Sequence, residues 1–191
     1  MPQRRIFVSA TTRGLESYRR LASESLRKRG YEVDGQAVFN LTFLEINEKL
    51  RQRIEECDAV VCLIGFAYGG EPSECPADQP RRSYTQWEYD FARELNKPVY
   101  LLLADETTPF DPDPRKSESK TVRQLQLRYR TEVMRNRDWA PFASKDQLRA
   151  ELAELRFPWE APPPLQPAVG VHSGGPRPIT VRRVGLSTGR S

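Results

Sequence analysis

Two stretches, Ala59-Val60-Val61-Cys62-Leu63-Ile64 and Pro98-Val99-Tyr100-Leu101-Leu102-Leu103, are apolar with almost no alternation. A strand with one wet face alternates apolar with polar residues. One that is apolar throughout needs cover on both faces, as in a parallel sheet between helices. Parallel neighbours also need long crossovers, usually helical. The pattern therefore predicts an α/β chain before any residue is given a role.

The intervening segments supply those crossovers. Arg5–Ala10 reads as a first strand, then a polar turn, then a helix with Leu15, Tyr18, Ala22 and Leu26 on one face, ended by Gly30. Tyr31–Val33 starts a weaker strand. Phe43, Ile46, Leu50 and Ile54 predict one continuous helix before Ala59–Ile64, and Trp87, Phe91 and Leu95 predict another before the Val99 strand. A charged helix near Thr121–Arg135, a short strand near Trp139–Phe142 and a helix over Lys145–Leu155 follow. The expected fold is a flavodoxin-like, doubly wound, five-stranded parallel sheet in the order 2-1-3-4-5, occupying residues 1–157.

Residues 158–191 read differently. Seven of the chain's 16 prolines lie between Pro158 and Pro178, without hydrophobic periodicity, and predict a Pro/Gly-rich basic linker or disordered tail. Within it, Ile179–Leu186 is β-branched enough to pair as an edge strand elsewhere. From Ala161 onward there are four arginines and no acid, which accounts for the whole net charge of +4. The folded part is close to neutral, so the basic balance is no argument for nucleic-acid binding. Cys57, Cys62 and Cys75 lack metal-ligand spacing and suit a reducing, cytoplasmic setting. No apolar run approaches the roughly 18 residues of a membrane span, so no membrane partner is expected.

In a 2-1-3-4-5 sheet, ligands bind beyond the strand carboxyl ends, at the switch point between the first and third strands. The loops lining it are Ser9–Gly14 and the long Gly65–Arg82 segment, out of which the Ser83-Tyr84-Thr85-Gln86-Trp87-Glu88-Tyr89-Asp90 helix opens. Glu88 is expected in the first turn of that helix, about 60° from the centre of its apolar stripe and leaning toward the sheet. It is the candidate catalytic residue. Two capping boxes are possible. Thr85-x-x-Glu88 would fold the carboxylate back on its own helix start, whereas Ser83-x-x-Gln86 would leave it free. Ser9, Arg13, Tyr68 and Tyr84 are candidate substrate contacts. Three of them have a plainer reading: a cap for Ser9, a solvated loop cation for Arg13, core for Tyr84. Arg81-Arg82 reads as a solvated loop.

Other chemistries fall away. The one histidine, His172, lies in the tail, so a Ser-His-Asp arrangement is not expected. No His/Cys cluster suits zinc, no metal site is predicted, and Gly65-x-x-x-Gly69-Gly70 is not a phosphate-binding loop.

Several of these residues together resemble a family. Phe7-Val8-Ser9 with Arg13, Ile64-Gly65-Phe66-Ala67-Tyr68-Gly69, Ser83-Tyr84-Thr85-Gln86-Trp87-Glu88-Tyr89 and Lys97-Pro98-Val99 look like a TIR domain, and more closely like the TIR-like DUF4062 group. The likeness spans roughly residues 4–155. Many TIR domains hydrolyse NAD+ with a glutamate on the third helix, and Glu88 falls at that position. The resemblance thus implies cleavage of the nicotinamide–ribose bond, with NAD+ as substrate and no cofactor. It also implies self-association through the domain, a signalling or anti-phage role, and a sensor domain or partner beyond the tail. It equally allows a non-catalytic interaction module, or a nucleoside deoxyribosyltransferase-like enzyme built on the same sheet.

Overall fold

The computed structural model describes residues 3–35, 43–72, 79–111, 118–136 and 138–160. The chain divides into a unit of Met1–Pro158 and a second of Trp159–Ser191; only residues 159 and 160 of the second are described. Most of the tail, including Ile179–Leu186, lies outside the described residues, as do residues 73–78 of the Tyr68 loop and Cys75.

Five strands form one parallel sheet: β1 (Arg5–Ala10), β2 (Glu32–Asp34), β3 (Ala59–Ile64), β4 (Val99–Ala104) and β5 (Trp139–Phe142), in the order β2-β1-β3-β4-β5. This is the flavodoxin-like arrangement expected. β3 is buried at every position, because it is central and helices cover both its faces. On one face Phe7, Val60, Cys62, Ile64, Leu101 and Leu103 meet α3 (Arg51–Glu55), α4 (Tyr84–Glu94) and α5 (Lys120–Asn136) through Ile54, Trp87, Phe91, Tyr129 and Val133. On the other, α1 (Thr12–Lys28) packs against β1 and α6 (Lys145–Glu154).

Local chemistry sets the element ends. Arg13, Gly14 and Leu15 leave helical angles, so the regular part of α1 begins after them. Gly14 sits at φ 81, where a side chain would be strained. Arg29 donates to the Leu152 and Leu155 carbonyls at 2.5 and 2.8 Å, satisfying acceptors that the end of α6 leaves open.

The helix predicted from the Phe43–Ile54 spacing is present as one unbroken helical run over residues 43–55, but it is not α-helical throughout: α2 (Phe43–Glu45) passes into a π-helical segment Ile46–Leu50 and then α3. An i→i+5 turn takes up one extra residue, and Leu50 at its end and Ile54 beyond it are both buried. No helix among the described residues is long and apolar enough to cross a membrane.

Candidate active site

Ser83 caps α4. Its backbone N–H donates to the Gln86 side-chain oxygen at 2.8 Å, and the reciprocal capping box is complete. A second box two residues later would require extended backbone at Thr85, which is already helical. The earlier cap thus releases Glu88 from helix-capping duty. It also moves the helix start, so Glu88 is the fifth residue of α4 and not in its first turn as expected.

From there the carboxyl reaches β1. Ser9, 2% exposed near the end of that strand, donates its hydroxyl to Glu88 Oε2 at 2.5 Å. Cys62 stands in register with Ser9 on β3. The contact therefore lies where β1 and β3 run side by side and their crossovers depart in opposite directions, at the switch point. Among the described residues no cation pairs with Glu88. Burial pushes its carboxyl up, outweighing the Ser9 hydrogen bond and the charges of Arg53 and Arg19, while Asp34 adds repulsion. The result is pushed up to about 7, so Glu88 changes charge near neutral pH.

Its neighbours have settled states. Arg53 and Asp34 form an ion pair. Burial raises the Asp34 carboxyl, but the Arg53 bond and charge, with the Gly35 N–H, more than offset this and hold it below the usual carboxylate range. The Cys62 thiol is pushed well above its ordinary value by burial and by the Glu88 charge, against the pull of the Ser9 hydroxyl. It is neutral and a poor nucleophile.

The α5 side of the crevice was not foreseen. Arg130, 8% exposed, donates to the carbonyls of Ile64 at 2.8 Å and Ala104 at 2.9 Å, the last residues of β3 and β4. Its guanidinium also lies 4.0 Å from the Phe66 ring centroid. Gln126, 2% exposed, donates to the Gly65 carbonyl at 2.8 Å. A signal for both was present: positions 126, 129, 130 and 133 follow the i, i+3, i+4, i+7 stripe of a buried face. Two of those four are polar. Buried polar residues need a reason, and here it is the sheet edge.

The other candidates separate. Tyr68 is 1% exposed and its hydroxyl lies 3.3 Å from Glu71, so it is packed into the fold and does not bond Glu88. Its backbone N–H donates to Glu118. Tyr84 is half-buried at the head of α4, one helical turn before Glu88; its N–H donates to the Gly70 carbonyl at 3.0 Å. Arg13 is exposed and pairs with no acid among the described residues. Arg82 departs from the solvated reading: it pairs with Asp90 and lies 5.2 Å from the Trp87 ring centroid. Arg81 pairs with Glu71.

Ser9, Thr85, Cys62, Gln126 and Tyr129 line a crevice of about 220 Å³ that includes open solvent and is too narrow to seat a water molecule. Every side chain lining it is uncharged. Among the described residues no three His, Cys, Asp or Glu side chains gather as metal ligands would.

A family model described as a domain of unknown function, DUF4062, matches residues 5–155 of the chain. No curated protein sequence matches it. Among solved structures, the CMP N-glycosidase BcmB of Clostridium botulinum is similar at 18% identity, over 78% of this chain and 98% of that one, with a TM-score of 0.42. A likeness this distant carries no argument about activity.

Proposed function

The chain belongs to the DUF4062 family, and we propose that this domain is a TIR-like hydrolase of N-glycosidic bonds whose substrate is NAD+. The observation that supports this reading is Glu88: a partly buried carboxyl at the switch point, hydrogen-bonded by the Ser9 hydroxyl, whose burial pushes it up to about 7.

In this reaction the bond between ribose C1′ and the nicotinamide nitrogen breaks, and its electron pair leaves with the ring. That ring carries a positive charge in NAD+, so it departs neutral and needs no general acid. No histidine lies among the described residues, which suits such a departure. Positive charge develops on the ribose as the bond lengthens, and the Glu88 carboxylate stabilises it. A charge pair at about 4 Å and effective dielectric 20 is worth on the order of 4 kcal/mol, roughly a thousandfold in rate. Water then adds at C1′ and gives its proton to Glu88, leaving ADP-ribose. In this reading Ser9 keeps the carboxylate aimed, and Arg13 and Tyr84, beside the lining residues Thr11 and Thr85 in the chain, are the proposed contacts for the diphosphate and ribose. The crevice must widen for turnover. Self-association through the domain is the proposed trigger, in the setting of a signalling or anti-phage effector.

The test is incubation of concentrated protein with NAD+ and chromatographic separation of nicotinamide. Release by wild type and its loss in Glu88→Ala support the reading. Equal release by both proteins removes Glu88 from the mechanism. The narrow crevice favours one alternative, a non-catalytic interaction module. No release at any concentration that assembles the protein would select it, and base exchange between nucleosides would select a transferase.

A further inference from the structure

Two buried side-chain atoms, Gln126 Oε1 and Tyr129 Oη, have no hydrogen-bond partner among the described residues, and both belong to residues that line the crevice. Their residues are 2% and 8% exposed and stand three apart on α5, so they share one face of the helix. The contrast with Arg130 is direct, since that neighbour spends its donors on strand-end carbonyls. Leaving a buried polar group unsatisfied is costly, and such groups in native structures have a reason.

The orientation of the Gln126 amide is fixed. Its nitrogen donates to the Gly65 carbonyl at 2.8 Å, and a flipped amide would set oxygen against oxygen. The unpartnered atom is therefore an acceptor. Tyr129 offers a hydroxyl donor, and burial, followed by the nearby Cys62, Tyr89, Asp90 and Glu88, raises its pKa and keeps it protonated. One acceptor and one donor, three residues apart on one face of α5 among uncharged lining side chains, complement an N–H beside a C=O or ring nitrogen. That is the edge of a carboxamide, or of an aminated pyrimidine. A carboxylate fits badly, because it would meet the Gln126 oxygen with its own.

We propose that Gln126 and Tyr129 form the subsite for the leaving base of the N-glycoside, reading its amide-type edge while Glu88 faces the sugar. This rests on the N-glycosidase reading of Glu88, but binding can be measured apart from turnover. Both sources of the edge, nicotinamide and cytosine, are titrated separately into the full chain by protein-observed NMR, with nicotinate as the control. Wild type binds nicotinamide, cytosine or both, and nicotinate at least tenfold more weakly. Whichever base binds identifies the source. Tyr129→Phe keeps or raises Tm, since the hydroxyl it removes is unsatisfied, yet weakens base binding about tenfold, the worth of one hydrogen bond. Gln126→Met weakens it similarly.

Glu88→Ala abolishes turnover and leaves base binding in place. Base binding with no cleavage of any substrate would sink the hydrolase and keep the subsite. The subsite is overturned if wild type binds neither base, if nicotinate binds as well as nicotinamide, or if both α5 variants bind as wild type does.

Discussion

Replacing Glu88 by glutamine should make the protein more stable, and the gain should grow with pH. The folded-state carboxyl titrates near 7 against an ordinary value of 4.5, chiefly because burial disfavours its charge. Below pH 4.5 the group is protonated in both states and contributes no difference. Between 4.5 and 7 the folded state holds the extra proton, so stability falls as pH rises, by up to about 1.4 kcal/mol per unit. Above 7 the loss is complete, on the order of 3 kcal/mol. Glutamine is nearly isosteric with the protonated acid, can still accept from Ser9, and does not titrate. Carboxylates with depressed values, such as Asp34 and Asp58, titrate in both proteins and cancel in the difference. Urea unfolding of wild type and Glu88→Gln at half-unit steps from pH 4 to pH 8.5 reads that difference. The expected result is a variant that gains about 3 kcal/mol on wild type across the series, most of it between pH 5 and 7. A constant difference would refute the claim that Glu88 is desolvated. A difference of opposite sign would mean that a cation pairs with it in solution.

The same titration governs turnover. If Glu88 acts ionised, kcat/KM for NAD+ rises with pH through about 7 and levels off above 8. Ser9→Ala should move that rise to higher pH, because the Ser9 hydroxyl bond favours the charged form; an unmoved profile would take Ser9 out of the site. Arg130→Met should lower stability by about 2 to 4 kcal/mol in denaturant unfolding, since the Ile64 and Ala104 carbonyls lose their buried donor. A loss under 1 kcal/mol would show that those acceptors find other partners. Cys57, buried and pushed up to about 12, and Cys62 should resist alkylation in the native protein and react on unfolding; mass spectrometry of peptides after a timed iodoacetamide pulse reads both.

The sheet was legible in the sequence because its cause is local and periodic. An apolar run such as Ala59–Ile64 must be covered on both faces wherever it lies, and the helical stripes between the runs dictate parallel crossovers. Strand order does not follow from that alone, since the same alternation builds more than one doubly wound order; the expected 2-1-3-4-5 order is the one the structure has. The Glu88 helix could likewise be placed at the crevice from its neighbours in the chain.

What surrounds Glu88 was not legible. Its hydrogen-bond partner, Ser9, is 79 residues away, and desolvation depends on which helices stack over a group, which no window of sequence contains. The choice between Ser83 and Thr85 as cap lay between two local motifs, and in the structure Ser83 holds the extended cap backbone while the Tyr84 N–H donates to the Gly70 carbonyl. α5 was read only as a charged helix because most of its residues are polar. The 126/129/130/133 spacing could have set Gln126 and Arg130 on a buried face, but only the packing on the sheet shows which strand-end carbonyls they bond. Hydrophobic periodicity determines which elements form and how they layer, since burying apolar area needs no particular partner. Hydrogen bonds and charges do need particular partners, at fixed distances, and those are assigned only when the strand ends and helices converge.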